Sequence, residues 1–192
     1  RSEHNELPKR MFVGYDTRYM GDRYTDIVSK TFSKYGITVD MPNTYLSTPA
    51  ISNWVKNNSK GTKYAGSVNI TASHNPGNYN GYKVNGPLGD PYGSNVTDEI
   101  SEYAKDGTRF EISAIKARML QAEDGKVNKI DVDELRASHV DNAITIIQNM
   151  LGKKDVSLLP GTNVIFDANH SALELEVKSD LEDRFGKLDD SI

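Results

Sequence analysis

The densest run of reactive side chains extends from the end of one apolar block into the next: Ile70-Thr71-Ala72-Ser73-His74-Asn75-Pro76-Gly77-Asn78-Tyr79-Asn80-Gly81-Tyr82-Lys83. A serine placed after an apolar block, in a loop stiffened by Pro76, is presented to a ligand rather than packed. His74 beside it can trade protons or donate to an oxyanion. Asn75 and Asn80 add uncharged donors, and Gly77 and Gly81 let backbone approach a ligand closely. Lys83 supplies a cation able to act as an acid or base. Together these groups suit a phosphate ester. The same composition also describes an ordinary Asn/Gly-rich turn between two strands, and on the residues alone both readings stand. A hydrolase triad does not fit, because Gly-x-Ser-x-Gly is missing and His74 adjoins Ser73 too closely to serve as the usual base.

The elements that must position this loop follow from periodicity. Met11-Phe12-Val13, followed by Gly14, predicts a short buried strand with Asp16-Thr17-Arg18 at its C-terminal end. Tyr24, Ile27, Val28, Thr31, Phe32 and Tyr35 fall at helical spacing, with Gly36 as the C-cap. Ile37–Met41 alternates as a strand closed by Pro42 and Asn43. Thr48 as N-cap and Pro49 at the first helical position open a second helix, whose buried face is Ile51, Trp54 and Val55. Ala65–Ile70 is a third strand and runs into Ser73; Tyr82–Val84 is a short further one, and Thr97–Ala104 begins another helix. Strands alternating with helices imply a three-layer α/β/α domain with a mostly parallel mixed sheet. Such a sheet gathers its ligand groups at the C-terminal ends of its strands, where Asp16, Arg18 and Ser73 all fall.

After the charged stretch Glu123–Glu134, Val140, Ala143, Ile144, Ile147 and Leu151 form one stripe of a helix ended by Gly152. Pro160-Gly161 makes a turn, Val164-Ile165-Phe166 a strand, and Leu173–Gly186 a final helix with Val177, Leu181 and Phe185 on one side. The expected organisation is a first α/β domain over residues 1–130 that carries the serine loop. Part of a second, similar domain follows over 131–172, and the domain of the helix over 173–192 is left open, the opening of a C-terminal domain being one reading.

Acidic residues outnumber basic ones, 27 to 23, for a net charge of −4 without any basic cluster. This argues against nucleic acid or an anionic membrane surface as partner, since both select for local Lys/Arg density. The chain has no cysteine, which removes disulfides, thiolate nucleophiles and zinc–thiolate sites. No apolar run approaches the roughly 20 residues of a membrane span, and residues 1–10 lack the apolar core of a signal peptide. A cytoplasmic location is the expectation, and the Asn-x-Ser/Thr triplets at Asn57, Asn69, Asn95 and Asn169 are read as chance.

Thr71-Ala72-Ser73-His74-Asn75-Pro76 with Tyr79-Asn80-Gly81-Tyr82-Lys83 closely resembles the active-site loop of the α-D-phosphohexomutases, which include phosphoglucomutase and phosphomannomutase. Val13–Arg18 is similar to that family's Asp-x-Arg strand end, and Ser47-Thr48-Pro49-Ala50 to its helix-opening Thr-Pro. The resemblance is firm from Met11 to Ala104 and fainter from Asp124 to Phe166. It implies a phosphoenzyme: Ser73 carries a phosphoryl group, donates it to a sugar monophosphate, and recovers another from the bisphosphorylated intermediate. By the same resemblance His74 and Lys83 handle protons, Asn75 and Asn80 shape the loop, and Asp16 and Arg18 hold it. A divalent metal, Mg2+, would join the Ser73 phosphate. The substrates implied are glucose or mannose phosphates exchanged between C1 and C6, with a pentose phosphate as a variant; no oligomeric state is implied.

Several parts of the family pattern have no match in this chain. These are the glycine-rich N-terminal motif, the sugar-specificity and phosphate loops, and the metal loop Asp-x-Asp-x-Asp. Asp131-Val132-Asp133 lies in the wrong region for the metal loop, and Asp180–Arg184 has the wrong register. The resemblance therefore implies about one and a half of four domains, with a junction at Asn169–Leu173. A truncated, non-catalytic phosphorylated binding module, or a shortened enzyme that completes its site with another chain, are the alternatives to a mutase.

Overall fold

The computed structural model describes residues 8–59, 63–105, 125–154, 165–173, 177, 178 and 182. Five strands form one sheet: β1 (Arg10–Tyr15), β2 (Thr38–Pro42), β3 (Gly66–Ile70), β4 (Tyr82–Asn85) and β5 (Val127–Ile130). The helices with bounds within the described residues are α1 (Gly21–Lys34), α2 (Thr48–Ser59), α3 (Ser94–Lys105) and α4 (Val132–Leu151). The strand order is β4-β3-β1-β2-β5, parallel throughout except for β4, which runs antiparallel to β3. The mostly parallel α/β architecture expected from the sequence is the one found.

Alternation along β1 sorts its side chains between two cores. Phe12 packs with Leu46, Ala50, Ile51, Trp54, Val55 and Tyr64 beneath α2. Val13 packs with Val39, Val68 and Ile70 beneath Val28 and Phe32 of α1. The chain runs from β1 through α1 to β2 on one side, then through α2 to β3 on the other. Right-handed crossovers in opposite directions put the two helices on opposite faces. Gly14 lets Ile51 approach this face closely, because a Cβ there would sit 2.5 Å from Ile51 Cδ1 and the Ile51 side chain would have to shift.

Several local expectations are corrected. Of the α1 residues read at helical spacing, Val28 and Phe32 pack on the sheet, but Tyr24 and Ile27 are exposed, and the fully buried row is Gly21, Thr25 and Ser29. Small residues at four-residue spacing let the helix lie close to the strands. The hydroxyl of Ser47, rather than that of Thr48, accepts the Ala50 N–H at the start of α2 (3.3 Å). Thr48 Oγ1 instead accepts from Asn69 Nδ2 at 2.5 Å and ties α2 to β3. The charged stretch Glu123–Glu134 hides β5, whose residues pair in register with Val39–Pro42 of β2.

Asp131, the first residue past the boundary expected at 130, caps α4 by accepting from Asp133 N at 3.1 Å. Val132 and Leu135 are buried with Phe12 and Ile51, so the start of α4 packs against the first sheet's core. Farther along α4 the apolar stripe is only partly covered: Val140 and Ile144 are half-buried, whereas Ile147 is 44% and Leu151 57% exposed. Gly152 ends the helix in the left-handed region (φ 62) as expected. Of the strand expected at Val164–Phe166, Ile165 and Phe166 are described; neither lies in a strand, and Ile165 is 76% exposed. An apolar triplet becomes a strand only beside a partner, and among the described residues none pairs with it. The helix expected over Leu173–Gly186 falls mostly outside the described residues, as does the Pro160-Gly161 turn. No helix among the described residues is long and apolar enough to cross a membrane.

Away from the serine loop, a buried carboxylate knits the sheet together. Asp40 on β2 accepts from Arg10 Nε (2.9 Å) and Nη2 (2.8 Å), Tyr64 Oη (2.6 Å) and Asn128 Nδ2 (2.8 Å). Burial alone would raise its pKa, but the hydrogen bonds from Arg10, Asn128 and Tyr64 and the charge of Arg10 outweigh it and hold the carboxyl below its ordinary value.

Candidate active site

The chain reverses direction across the sheet between β1 and β3, and a doubly wound sheet offers its ligand crevice at that switch point. Tyr15 and Ile70, the last residues of the two strands, are register partners. Asp16 N donates to Ile70 O at 3.3 Å, so the two outgoing loops begin side by side. Because β4 is antiparallel, it starts at the same edge, with Tyr82 beside Ile70. The loops after β1 and β3 and the first residues of β4 therefore converge.

Asp16 and Arg18 organise this junction. Asp16 accepts Arg18 N at Oδ1 (3.1 Å), Arg18 Nε at Oδ2 (3.2 Å) and the Thr71 hydroxyl at Oδ2 (2.5 Å). With Nε held, the rest of the guanidinium turns into the serine loop. Nη1 donates to the carbonyls of Asn75 (2.8 Å), Pro76 (2.7 Å) and Tyr79 (3.2 Å), and Nη2 to that of Ser73. An arginine fork can serve several acceptors at fixed angles, which one ammonium cannot.

Ser73 is exposed and adopts φ 55, a left-handed conformation that costs a non-glycine residue about 1 kcal/mol. Its amide donates to Thr71 Oγ1 at 3.1 Å, and its hydroxyl accepts from Lys83 Nζ. Gly81 closes the loop's base: Thr71 N donates to Gly81 O at 3.1 Å, and a Cβ on Gly81 would lie 2.7 Å from Thr71 O. The close approach at Gly81 is thus to the protein's own backbone. At Gly77 a Cβ would meet nothing within 4 Å.

Of the residues singled out in the sequence, Ser73, Lys83, Asp16, Arg18 and Asn75 come together here. Asn75 folds the loop back on itself, its N and Nδ2 donating to Ala72 O at 3.1 and 3.0 Å. Asn80 points elsewhere: Nδ2 donates to Tyr19 O at 2.7 Å, and Oδ1 is buried without a hydrogen-bond partner among the described residues. His74 is exposed on the wall of a cleft of about 590 Å³. The opposite wall was not anticipated. Asn169, His170, Ser171 and Ala172 line it, and Thr17 Oγ1 donates to His170 O at 3.0 Å. Asn169 and His170 are both left-handed (φ 47 and 55). Thr71 was also missed; the one signal for it was a hydroxyl at the very end of a buried strand.

The described residues hold no group of three His, Asp or Glu placed to bind a metal. Asp16 has both carboxylate oxygens engaged by donors.

An exposed serine, gripped by an Asp–Arg pair and met by a lysine, sits at the switch point of the mostly parallel sheet of an α/β/α domain. Residues 2–110 match the model of the phosphoglucomutase/phosphomannomutase α/β/α domain I, and the chain belongs to that family. It is 31% identical over 160 residues to a phosphoglucomutase of Staphylococcus aureus strain bovine RF122 / ET3-1, and 30% identical to that of strain USA300. Each alignment covers 79% of this chain and 27% of the relative, so the chain spans about a quarter of the length of these relatives. In fold it is similar to parafusin, the exocytosis-sensitive phosphoprotein (phosphoglucomutase) of Paramecium, in its open form, with a TM-score of 0.64 at 21% identity. That match covers 97% of this chain and 36% of the other.

Proposed function

We propose that Ser73 is the phosphoryl carrier of a phosphohexomutase, shuttling a phosphoryl group between C1 and C6 of glucose or mannose phosphate through a bisphosphorylated sugar. The observation that supports this most is the contact of Lys83 Nζ with Ser73 Oγ on a loop whose carbonyls are held by Arg18. In the forward step the phosphorus–Oγ bond breaks as a sugar hydroxyl oxygen bonds to phosphorus. The hydroxyl proton passes to His74, and Oγ takes a proton from Lys83 as it leaves. The reverse step with the bisphosphate reloads Ser73.

Uncatalysed phosphate-ester transfer is so slow that an enzyme must lower the barrier by roughly 20 kcal/mol. Charge neutralisation and positioning supply most of that. Mg2+, when bound, would neutralise charge on the transferring phosphoryl. Its remaining ligands, and the sugar-binding groups, would come from outside the described residues.

The test is incubation of the purified chain, and of a longer form of the protein, with glucose 1,6-bisphosphate and Mg2+, followed by intact mass and phosphosite mapping. Gain of one phosphoryl group on Ser73, absent in Ser73→Ala, supports the reading; Ser73→Ala retaining full mutase activity would sink it. Phosphate that enters Ser73 and never returns to sugar points to the non-catalytic binding module instead.

A further inference from the structure

We propose that Thr71 is a positioning residue for Ser73, its hydroxyl being one of two arms that hold the serine backbone in its left-handed conformation. Both arms start on Asp16. One runs from Asp16 Oδ2 to the Thr71 hydroxyl (2.5 Å) and on to the Ser73 N–H (3.1 Å). The other runs from Asp16 Oδ2 to Arg18 Nε (3.2 Å), and from Arg18 Nη2 to the Ser73 carbonyl. The two polar groups of one peptide-bonded residue are thus fixed from opposite sides by a single carboxylate.

The direction of each bond in the first arm is forced by chemistry. A hydroxyl has one hydrogen to give, a carboxylate can only accept, and an amide N–H can only donate. Thr71 must therefore give its hydrogen to Asp16 and turn a lone pair to Ser73. The negative charge on Asp16 fixes the hydroxyl rotor and, through it, the Ser73 amide. Thr71 is 3% exposed, so water cannot substitute readily for its hydroxyl. With the Ser73 backbone fixed, Oγ is aimed at Lys83; without the arm, no other hydrogen bond among the described residues holds the Ser73 N–H against relaxation of φ 55 to an ordinary value.

This inference rests on Ser73 being the phosphoryl carrier, and its test separates the two. Thr71→Val keeps the branched shape and deletes the hydroxyl; Thr71→Ser keeps the hydroxyl and deletes the methyl. In the full chain, two quantities are measured: phosphoryl uptake by Ser73 from glucose 1,6-bisphosphate with Mg2+, and hydrogen exchange of the Ser73 amide by NMR. Loss of one buried hydrogen bond predicts that Thr71→Val speeds Ser73 amide exchange about 10-fold or more and slows uptake by a similar factor. Thr71→Ser should stay within about threefold of wild type in both. Thr71→Val matching wild type in amide exchange would overturn the proposal, and so would Thr71→Ser being as impaired as Thr71→Val. If a longer form of the protein that carries the metal and sugar-binding parts also takes up no phosphate, the phosphoryl-carrier reading fails, while the amide-exchange comparison still decides the role of Thr71.

Discussion

Arg18 donates to the backbone carbonyl of Ser73, and the same guanidinium holds the carbonyls of Asn75, Pro76 and Tyr79. Four carbonyls aimed at one cation would repel one another without it, so the shape of the loop depends on the fork. Arg18→Lys keeps the charge and loses the geometry. Misplacement of a reacting group by about 1 Å can cost about 100-fold in rate, and that is the slowing expected for Ser73 phosphoryl uptake in this variant. Hydrogen exchange should rise across residues 73–79 and stay unchanged in β1 and β3. A loop as protected as in wild type would show that the other contacts suffice.

Lys83 is exposed and belongs to no core cluster, so its ammonium is dispensable for folding. Lys83→Met should leave the unfolding free energy from urea titration within about 0.5 kcal/mol of wild type. If Lys83 protonates the departing Ser73 oxygen, loss of that proton donor slows transfer about 100-fold. Rapid-quench measurement of phosphoryl transfer from phospho-Ser73 to glucose 1-phosphate reads this step directly. Wild-type rates would remove Lys83 from the machinery and leave its contact with Ser73 as a resting-state feature.

The β-α alternation through residue 85 was legible because apolar periodicity is local, and a doubly wound sheet then fixes where Asp16, Arg18 and Ser73 must meet. What stayed hidden was set by partners distant in the chain. β5 is an edge strand whose exposed residues read as a charged linker until β2 pairs with it. The buried row of α1 is Thr25 and Ser29 because the sheet needs small groups there, while apolar Tyr24 and Ile27 face outward. Thr71 looks like one more loop hydroxyl until Asp16, 55 positions earlier, is placed against it. The wall formed by residues 169–172 is invisible to any local pattern.

Gly81 and Gly77 looked equivalent in the sequence and are predicted to respond oppositely to alanine. At Gly81 the new Cβ would press on the Thr71 carbonyl at 2.7 Å, and backbone cannot swing aside as a side chain can. Overpacking of this kind costs about 1–3 kcal/mol, and because Thr71 holds Ser73, phosphoryl uptake should fall with it. At Gly77 the Cβ meets open space, and the change should stay within about 0.5 kcal/mol. Paired urea titrations of Gly81→Ala and Gly77→Ala check this; equal effects would mean that the loop base is pliant.

Asp40 makes the fold's stability depend on pH in a stated direction. Its folded pKa lies below the ordinary 3.8, because the hydrogen bonds and the Arg10 charge outweigh its burial. The unfolded chain therefore binds this proton more readily than the folded one. The contribution is complete above the ordinary carboxylate value, and it is lost as pH falls through the lower, folded one. Asp40→Asn removes the titrating group and leaves Arg10 beside a neutral partner, which predicts a loss of about 3 kcal/mol at pH 7. Urea unfolding followed by fluorescence of Trp54, from pH 7 down to pH 2, should then show a steep acid decline in wild type and a flatter one in Asp40→Asn. Parallel declines would place the acid sensitivity elsewhere and reduce Asp40 to a hydrogen-bonding role that its amide replacement fills.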